Sequence, residues 1–264
     1  MTFISERYAV LAELRKSNSQ LSLCIIDVHR PQNPDVCSLM LPETPRLSSS
    51  SRVNVQCGPH SSPPDTYSHS DNGPLFTTDP INQLVLVTFT NAPESFALFI
   101  LASTLVKLAE RNQNASSPPT IPWEEWGPEN TRLIETSEKA GENLCVYGTK
   151  ALILHEGAQV LYDFNQRNIK RELSRCNVAD QVPDDIVINA TIFDQMRPFS
   201  TVVTTRLPYR FRSVGLENFN NDEDIVHMGE TSIVSVPVSC IRIRYLNPGL
   251  TLAQDGRDIT VLSI

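Results

Sequence analysis

Four short runs follow one another between Thr131 and Phe164: Thr131 to Glu135, Asn143 to Tyr147, Lys150 to Leu154 and Gln159 to Phe164. Each is rich in β-branched or large apolar residues, and the gaps between them hold Gly141, Gly148 and the pair Glu156 and Gly157. Runs of this length ended by turn residues read as strands, and the cadence constrains the chain to an all-β domain of short antiparallel strands.

The same reading extends in both directions. Tyr8 to Leu14 and Leu21 to Val28 flank a polar turn at Lys16 to Ser19 and predict a hairpin. Val36 to Leu41 and Arg52 to Cys57 are two further strand candidates. Around the second of these, the Pro- and Ser-rich interval 42–74 is expected to interrupt the domain as a disordered insertion, because Gly58 to Pro74 has almost no apolar side chain to offset its ordering entropy. Gln83 to Thr90 and Ser95 to Leu101 predict buried, adjacent strands. They lead into one short helix, Ser103 to Arg111, in which Leu105, Leu108 and Ala109 share a face and Ser103 is placed to cap. Later strands are predicted at Ser200 to Arg206, Thr231 to Val236, Cys240 to Leu246 and Asp258 to Leu262. About four strands in about 35 residues is the size of one propeller blade, so residues 1–264 predict a single propeller-like β domain.

Both tryptophans, Trp123 and Trp126, fall in Ile121 to Glu135, between Pro122 and the pair Gly127 and Pro128. A separation of three turns both indoles to one side of a short helical turn, which the Gly-Pro pair is expected to end. As exposed rings they would suit an interaction hot spot; fixed by prolines and followed by strands, they read instead as core.

The segment Ile121 to Arg132, followed by Cys145 to Lys150, Leu161 to Arg167 and Leu207 to Tyr209, resembles the C-terminal part of F-box-containing proteins of mushroom-forming fungi. The likeness is clearest from Gln83 to Tyr209. It implies a β-rich, propeller-like region of the kind that follows the F-box, and a non-enzymatic protein-interaction module that recognises substrates. No F-box stands in these 264 residues, so recruitment to a cullin-type ubiquitin ligase is not carried over. About fourteen strand candidates make roughly three to four blades, which predicts a partial propeller, or else a small closed one. The alternatives are a truncated relative without retained function and an enzyme whose site lies in a propeller funnel.

A net charge of −8, from 30 acidic and 22 basic residues that are scattered, leaves no electrostatic footprint for nucleic acid or a membrane surface, and a protein of unknown identity is the expected partner. No run reaches the roughly 18 apolar residues of a membrane span, and the first residues lack a secretory pattern, so an intracellular location is expected. On that reading the sequons at Asn114 and Asn189 carry no glycan, and the cysteines Cys24, Cys37, Cys57, Cys145, Cys176 and Cys240, widely spaced, are reduced thiols.

No catalytic, cofactor-binding or metal site is predicted. No G-x-S-x-G, H-E-x-x-H, G-x-x-x-x-G-K or G-x-G-x-x-G run occurs. Cys57 with His60 and His69 matches no zinc spacing. His155 with Glu156, and His227 near Asp222, Glu223 and Asp224, are the best histidine and carboxylate neighbours, yet they read as loop residues on a β scaffold. The acidic loop Asn220 to Asp224 lacks the ligand spacing of a calcium loop. Lys170, Arg171 and Arg175, following Arg167, form a small basic cluster that reads as a solvated face on an acidic chain.

Overall fold

A two-residue strand, Thr2–Phe3 (β1), opens a sheet continued by Tyr8–Arg15 (β2), Gln20–Asp27 (β3) and Asp35–Met40 (β4), each antiparallel to the one before. The structure is a computed structural model and describes residues 1–15, 20–32, 34–43, 52–58, 82–91, 94–136, 144–155, 158–176, 182–194, 199–214, 224–228, 232–237 and 260–263. The predicted hairpin is β2 and β3, paired from Tyr8 with Asp27 to Arg15 with Gln20. Alternation sorts these strands: Tyr8, Val10, Leu21, Leu23, Ile25 and Leu39 enter the core, while Glu13 and Cys24 meet on the other face, the thiol donating to the carboxylate over 3.0 Å.

The second sheet comprises Arg52–Cys57 (β5), Leu84–Asn91 (β6) and Glu94–Leu101 (β7), joined later by a strand at residues 131–136. Its central strands are apolar at almost every position because both faces are covered. Val85, Val87, Phe89, Phe96, Leu98 and Ile100 pack toward the first sheet. Leu84, Leu86, Ala97 and Phe99 pack the opposite way. Such continuous apolar runs are what two covered faces require. Within the interval 42–74, Arg52 to Cys57 is therefore an ordered strand; residues 44–51 and 59–74 lie outside the described residues.

Leu101 passes directly into helix Ala102–Asn112 (α1). Leu105 and Ala109 of the predicted face are buried and Leu108 is half-buried, while Val106, outside that prediction, is buried as well. The cap differs from expectation. Leu101 occupies the N-cap position with no side-chain hydrogen bond, and the Ala102 N–H is satisfied by the Gln83 carbonyl at 2.8 Å, so the residue just before β6 serves the helix start in place of a serine cap.

Thr120–Ile121 (β8) adds in parallel to β4, and Trp123–Asn130 (α2) leads without a loop into Thr131–Thr136 (β9). The expectation of one helix is corrected here: α2 continues through Pro128 for two more residues. The carbonyl deprived of a donor by Pro128 belongs to Glu124, an exposed residue, and the last turn is closed by side chains. Asn130 Nδ2 donates to the Trp126 carbonyl at 2.7 Å and Thr131 Oγ1 to the Gly127 carbonyl at 2.8 Å.

The third sheet is built from Cys145–Tyr147 (β10), Lys150–His155 (β11) and Ala158–Asp163 (β12), with a third helix, Gln166–Leu173 (α3), following β12. The remaining strands are Ile186–Val187 (β13), Thr191–Phe193 (β14), Val203–Thr205 (β15), Tyr209–Val214 (β16), Asp224–Met228 (β17), Ser232–Pro237 (β18) and Thr260–Ser263 (β19). β16 joins the third sheet between β12 and β13, β14 and β15 form a ribbon, and β17, β18 and β19 form a further antiparallel sheet. The expected strand Cys240 to Leu246 lies outside the described residues.

The architecture is thus mostly β, in several antiparallel sheets with three helices among the described residues. The second sheet is sandwiched between the first and the third. β5 and β10 approach closely: a Cβ on Gly58 would stand 3.1 Å from the Gly148 nitrogen, and the Leu84 N–H donates to the Gly148 carbonyl at 2.7 Å.

Candidate functional site

Trp123 and Trp126 pack edge to face, ring centroids 5.4 Å apart, and both are buried. The core reading of the pair holds. The indole N–H of Trp126 donates to the Met40 carbonyl at 2.9 Å, which ties α2 to β4 in the first sheet. α2 thereby fixes where β9 begins, and the second residue of β9 is Arg132.

Arg132 has no exposed surface. Its side chain leaves β9 on the face turned toward the third sheet, the opposite face to Leu133. Nε donates to the Leu207 carbonyl at 2.8 Å; Nη1 donates to the Asn189 carbonyl at 3.0 Å and to Thr191 Oγ1 at 2.6 Å. The guanidinium lies over the Tyr209 ring, 5.0 Å from its centroid. Among the described residues no carboxylate meets it, and Nη2 is buried without a hydrogen-bond partner. Burial pulls the Arg132 pKa below its ordinary value, opposed by Tyr209, and burial likewise pushes the Tyr209 hydroxyl up. A guanidinium stays charged under such a shift, so the fold holds one cation by carbonyl dipoles and an aromatic face.

The segments Cys145 to Lys150, Leu161 to Arg167 and Leu207 to Tyr209 converge on this point. Tyr209 packs against Tyr162 and Phe164, each 5.7 Å away by ring centroid, and Phe164 stacks on Phe99 at 4.7 Å. Gln166 Nε2 donates to the Pro208 carbonyl at 2.8 Å. Asp163 Oδ1 accepts from Thr149 Oγ1 at 3.2 Å and from the Asn165 N–H at 2.9 Å. Asn165 in turn caps α3, its side-chain oxygen accepting from the Asn168 N–H at 3.1 Å. Chemically this junction is a clasp: its donors point inward and hold the second sheet, the third sheet and the β13 to β16 region together.

The other candidates scatter. Cys57 lies on β5 with its thiol donating to Gln83 Oε1 at 3.3 Å, while His60 and His69 lie outside the described residues. Burial pushes the Cys57 and Cys145 thiols up to about 11 and Cys37 up to about 12. His155 ends β11 and His227 lies on β17 opposite Val234, in different sheets; Glu156, Asp222 and Glu223 lie outside the described residues. Among the described residues no group of three or more His, Cys, Asp or Glu side chains is gathered to hold a metal ion. Asn114 is exposed just beyond α1, and Asn189 offers its carbonyl to Arg132.

Two hollows open on the surface beside α1. One of about 250 Å³ is lined by Leu108, Arg111, Asn112, Thr120, Glu125 and Trp126 among others, and a smaller one of about 50 Å³ is bordered by Arg30, Asp35 and Gln113. Lys170 and Arg171 lie in the last turn of α3, with Arg167 before and Arg175 after; all four are exposed. Sequence reasoning passed over Tyr209–Val214 as a strand. Its signal was present: Tyr209 and Phe211 alternate with Arg210 and Arg212, and Arg210 is held by Glu172 of α3 and by Asp185, the latter at 2.8 Å.

Among the described residues no helix is long and apolar enough to cross a membrane. Comparison of the chain with protein-family models, with curated proteins and with solved structures finds no match.

Proposed function

We propose that this chain is a non-enzymatic protein-interaction module, built as an open sector of a β-propeller and similar to the substrate-recognition region of fungal F-box proteins. The observation that carries the reading is the order of the sheets. They stack in chain order, and their first strands neighbour one another: β1 and β2 contact β5, β5 contacts β10, and β10 contacts β17. Innermost strands around a propeller axis have this relationship. Sheets arranged radially diverge outward, and the contacts of α1 and α2, with β4 on one side and β7 or β9 on the other, fit such a wedge. The convergence of Arg132, Gln166 and Tyr209 adds support, since the segments that carry the family likeness make one clasp.

In this reading the scaffold presents loops and helix surfaces to a partner protein, and the clasp keeps the blades in register. The test is affinity capture of the full chain from cells that express it, with mass spectrometry. A reproducible partner set, lost when Arg132 or Trp126 is replaced and the fold weakened, is the expected result. Recovery of no partner, or turnover of a small molecule by the purified chain, overturns it.

A further inference from the structure

α3 runs between Asn165 and Ser174 with one face inward. Ile169 is buried there, and Glu172 on the same side is held by Arg210 of β16. The opposite face carries Arg167, Lys170, Arg171 and Arg175, at i, i+3, i+4 and i+8, which helical periodicity places along one stripe. Arg175 belongs to the closing turn, where its N–H donates to the Glu172 carbonyl at 2.9 Å. Among the described residues none of the four has an acidic partner, and Glu172 on the inward side of α3 and Asp185 are both engaged by Arg210.

The helix's own needs do not explain this stripe. Cations in the last turn suit the macrodipole, which accounts for Lys170 and Arg171. Arg167 stands in the first turn, where the dipole opposes it. Arg167 with Arg171, and Arg171 with Arg175, are like-charge i,i+4 pairs, which weaken a helix. A short helix in a chain of net charge −8 thus keeps on one side, at a cost to itself, four cations that no acid among the described residues compensates.

We propose that the outward face of α3 is a docking surface for a short acidic segment of a partner protein; this rests on the protein-interaction reading above. The stripe is about 12 Å long, from eight steps of helical rise. An extended peptide with carboxylates at alternate residues, about 6.8 Å apart, lays two to three of them along it. A nucleic acid or a membrane surface extends much further and meets the repulsion of the acidic remainder of the chain, whereas a short peptide does not.

The experiment uses the full chain and a fluorescently labelled peptide of alternating Glu and Ser, followed by anisotropy, with an oligouridylate and phosphatidylserine vesicles as parallel probes. Saturable peptide binding that weakens from about 50 to about 150 mM salt is expected. Lys170→Glu with Arg171→Glu should weaken it about tenfold or more, while Lys107→Glu on α1, which makes the same kind of charge change elsewhere, alters it less than about twofold. Circular dichroism verifies the fold; if the double reversal does not fold, Arg167→Gln with Arg175→Gln replaces it. Absence of saturable peptide binding, equal binding by the reversed variant, or tighter binding of oligouridylate or vesicles than of peptide overturns the proposal. If the reversed variant still captures the wild-type partner set from cells, the stripe is wrong and the interaction module stands; if the wild type captures nothing, the module reading itself fails.

Discussion

The indole of Trp126 donates to the carbonyl of Met40 across 86 positions of sequence, joining the helix before β9 to the last long strand of the first sheet. The ring fills the space between two sheets and its one polar atom is satisfied. Trp126→Ala is expected to cost about 3 to 5 kcal/mol. Trp126→Phe, which keeps most of the volume but leaves the Met40 carbonyl unpaired, should cost about 1 to 3 kcal/mol. Denaturant unfolding reads both, and a loss below about 1 kcal/mol for the alanine variant contradicts the packing described.

Arg132 offers a sharper test of the clasp. Arg132→Met removes the donors from the Leu207 and Asn189 carbonyls and from Thr191 Oγ1, with an expected cost of about 2 to 4 kcal/mol. Arg132→Lys keeps the charge but not the planar fork, and should recover less than half of that loss. A lysine variant as stable as wild type in urea would mean that charge, not geometry, holds the junction.

Two glycines separate steric from conformational cost. A Cβ on Gly127 would lie 2.3 Å from the Trp123 ring, so Gly127→Ala must displace a buried indole, at about 1 to 3 kcal/mol. Gly148 has open space around it but a φ of +56°, so Gly148→Ala meets only the left-handed backbone penalty, about 1 kcal/mol. Tryptophan fluorescence should change for the first variant and not for the second.

Asp27 gives the fold a dependence on acid. It is buried, accepts from Arg7 Nε and Nη2 at 2.9 and 2.7 Å and from the His29 N–H at 3.0 Å, and lies 3.4 Å from Arg30 Nε. The Arg7 hydrogen bonds hold its carboxyl below the ordinary range despite burial, with the His29 N–H and the two arginine charges adding to the effect. A depressed folded pKa gives stability that is present above the unfolded value, about 3.9, and is lost as pH falls through the folded value. The melting temperature of wild type should exceed that of Asp27→Asn at neutral pH, and the gap should close below about pH 4. A gap that is constant down to pH 2 would remove Asp27 from this role.

Much of the local structure was legible because it follows from short-range rules. The β2–β3 hairpin, the β6–β7 pair and α1 were each announced by alternation, by unbroken apolar runs or by helical spacing. α3 was not, because Ile169 is its only buried residue and a polar helix has no apolar period to read; its Asn165 cap was the signal available. Pro128 misled for a different reason: sequence predicts a break, but the carbonyl that its ring deprives belongs to exposed Glu124, and Asn130 and Thr131 close the last turn at Trp126 and Gly127.

The sequence by itself determined that this is a β-rich chain of short strands with a tryptophan pair that belongs in a core, since burial of apolar faces is written in residue order. Tertiary structure alone decided what Arg132 does. No local rule tells a buried arginine from an exposed one; that depended on carbonyls at Asn189 and Leu207 and the ring of Tyr209, which the stacking of two sheets brings to it from more than fifty residues away. The same holds for the stripe on α3. Its residues were visible as a basic cluster, but that no acid among the described residues pairs with them, while Arg210 engages Glu172 and Asp185, is a fact of space.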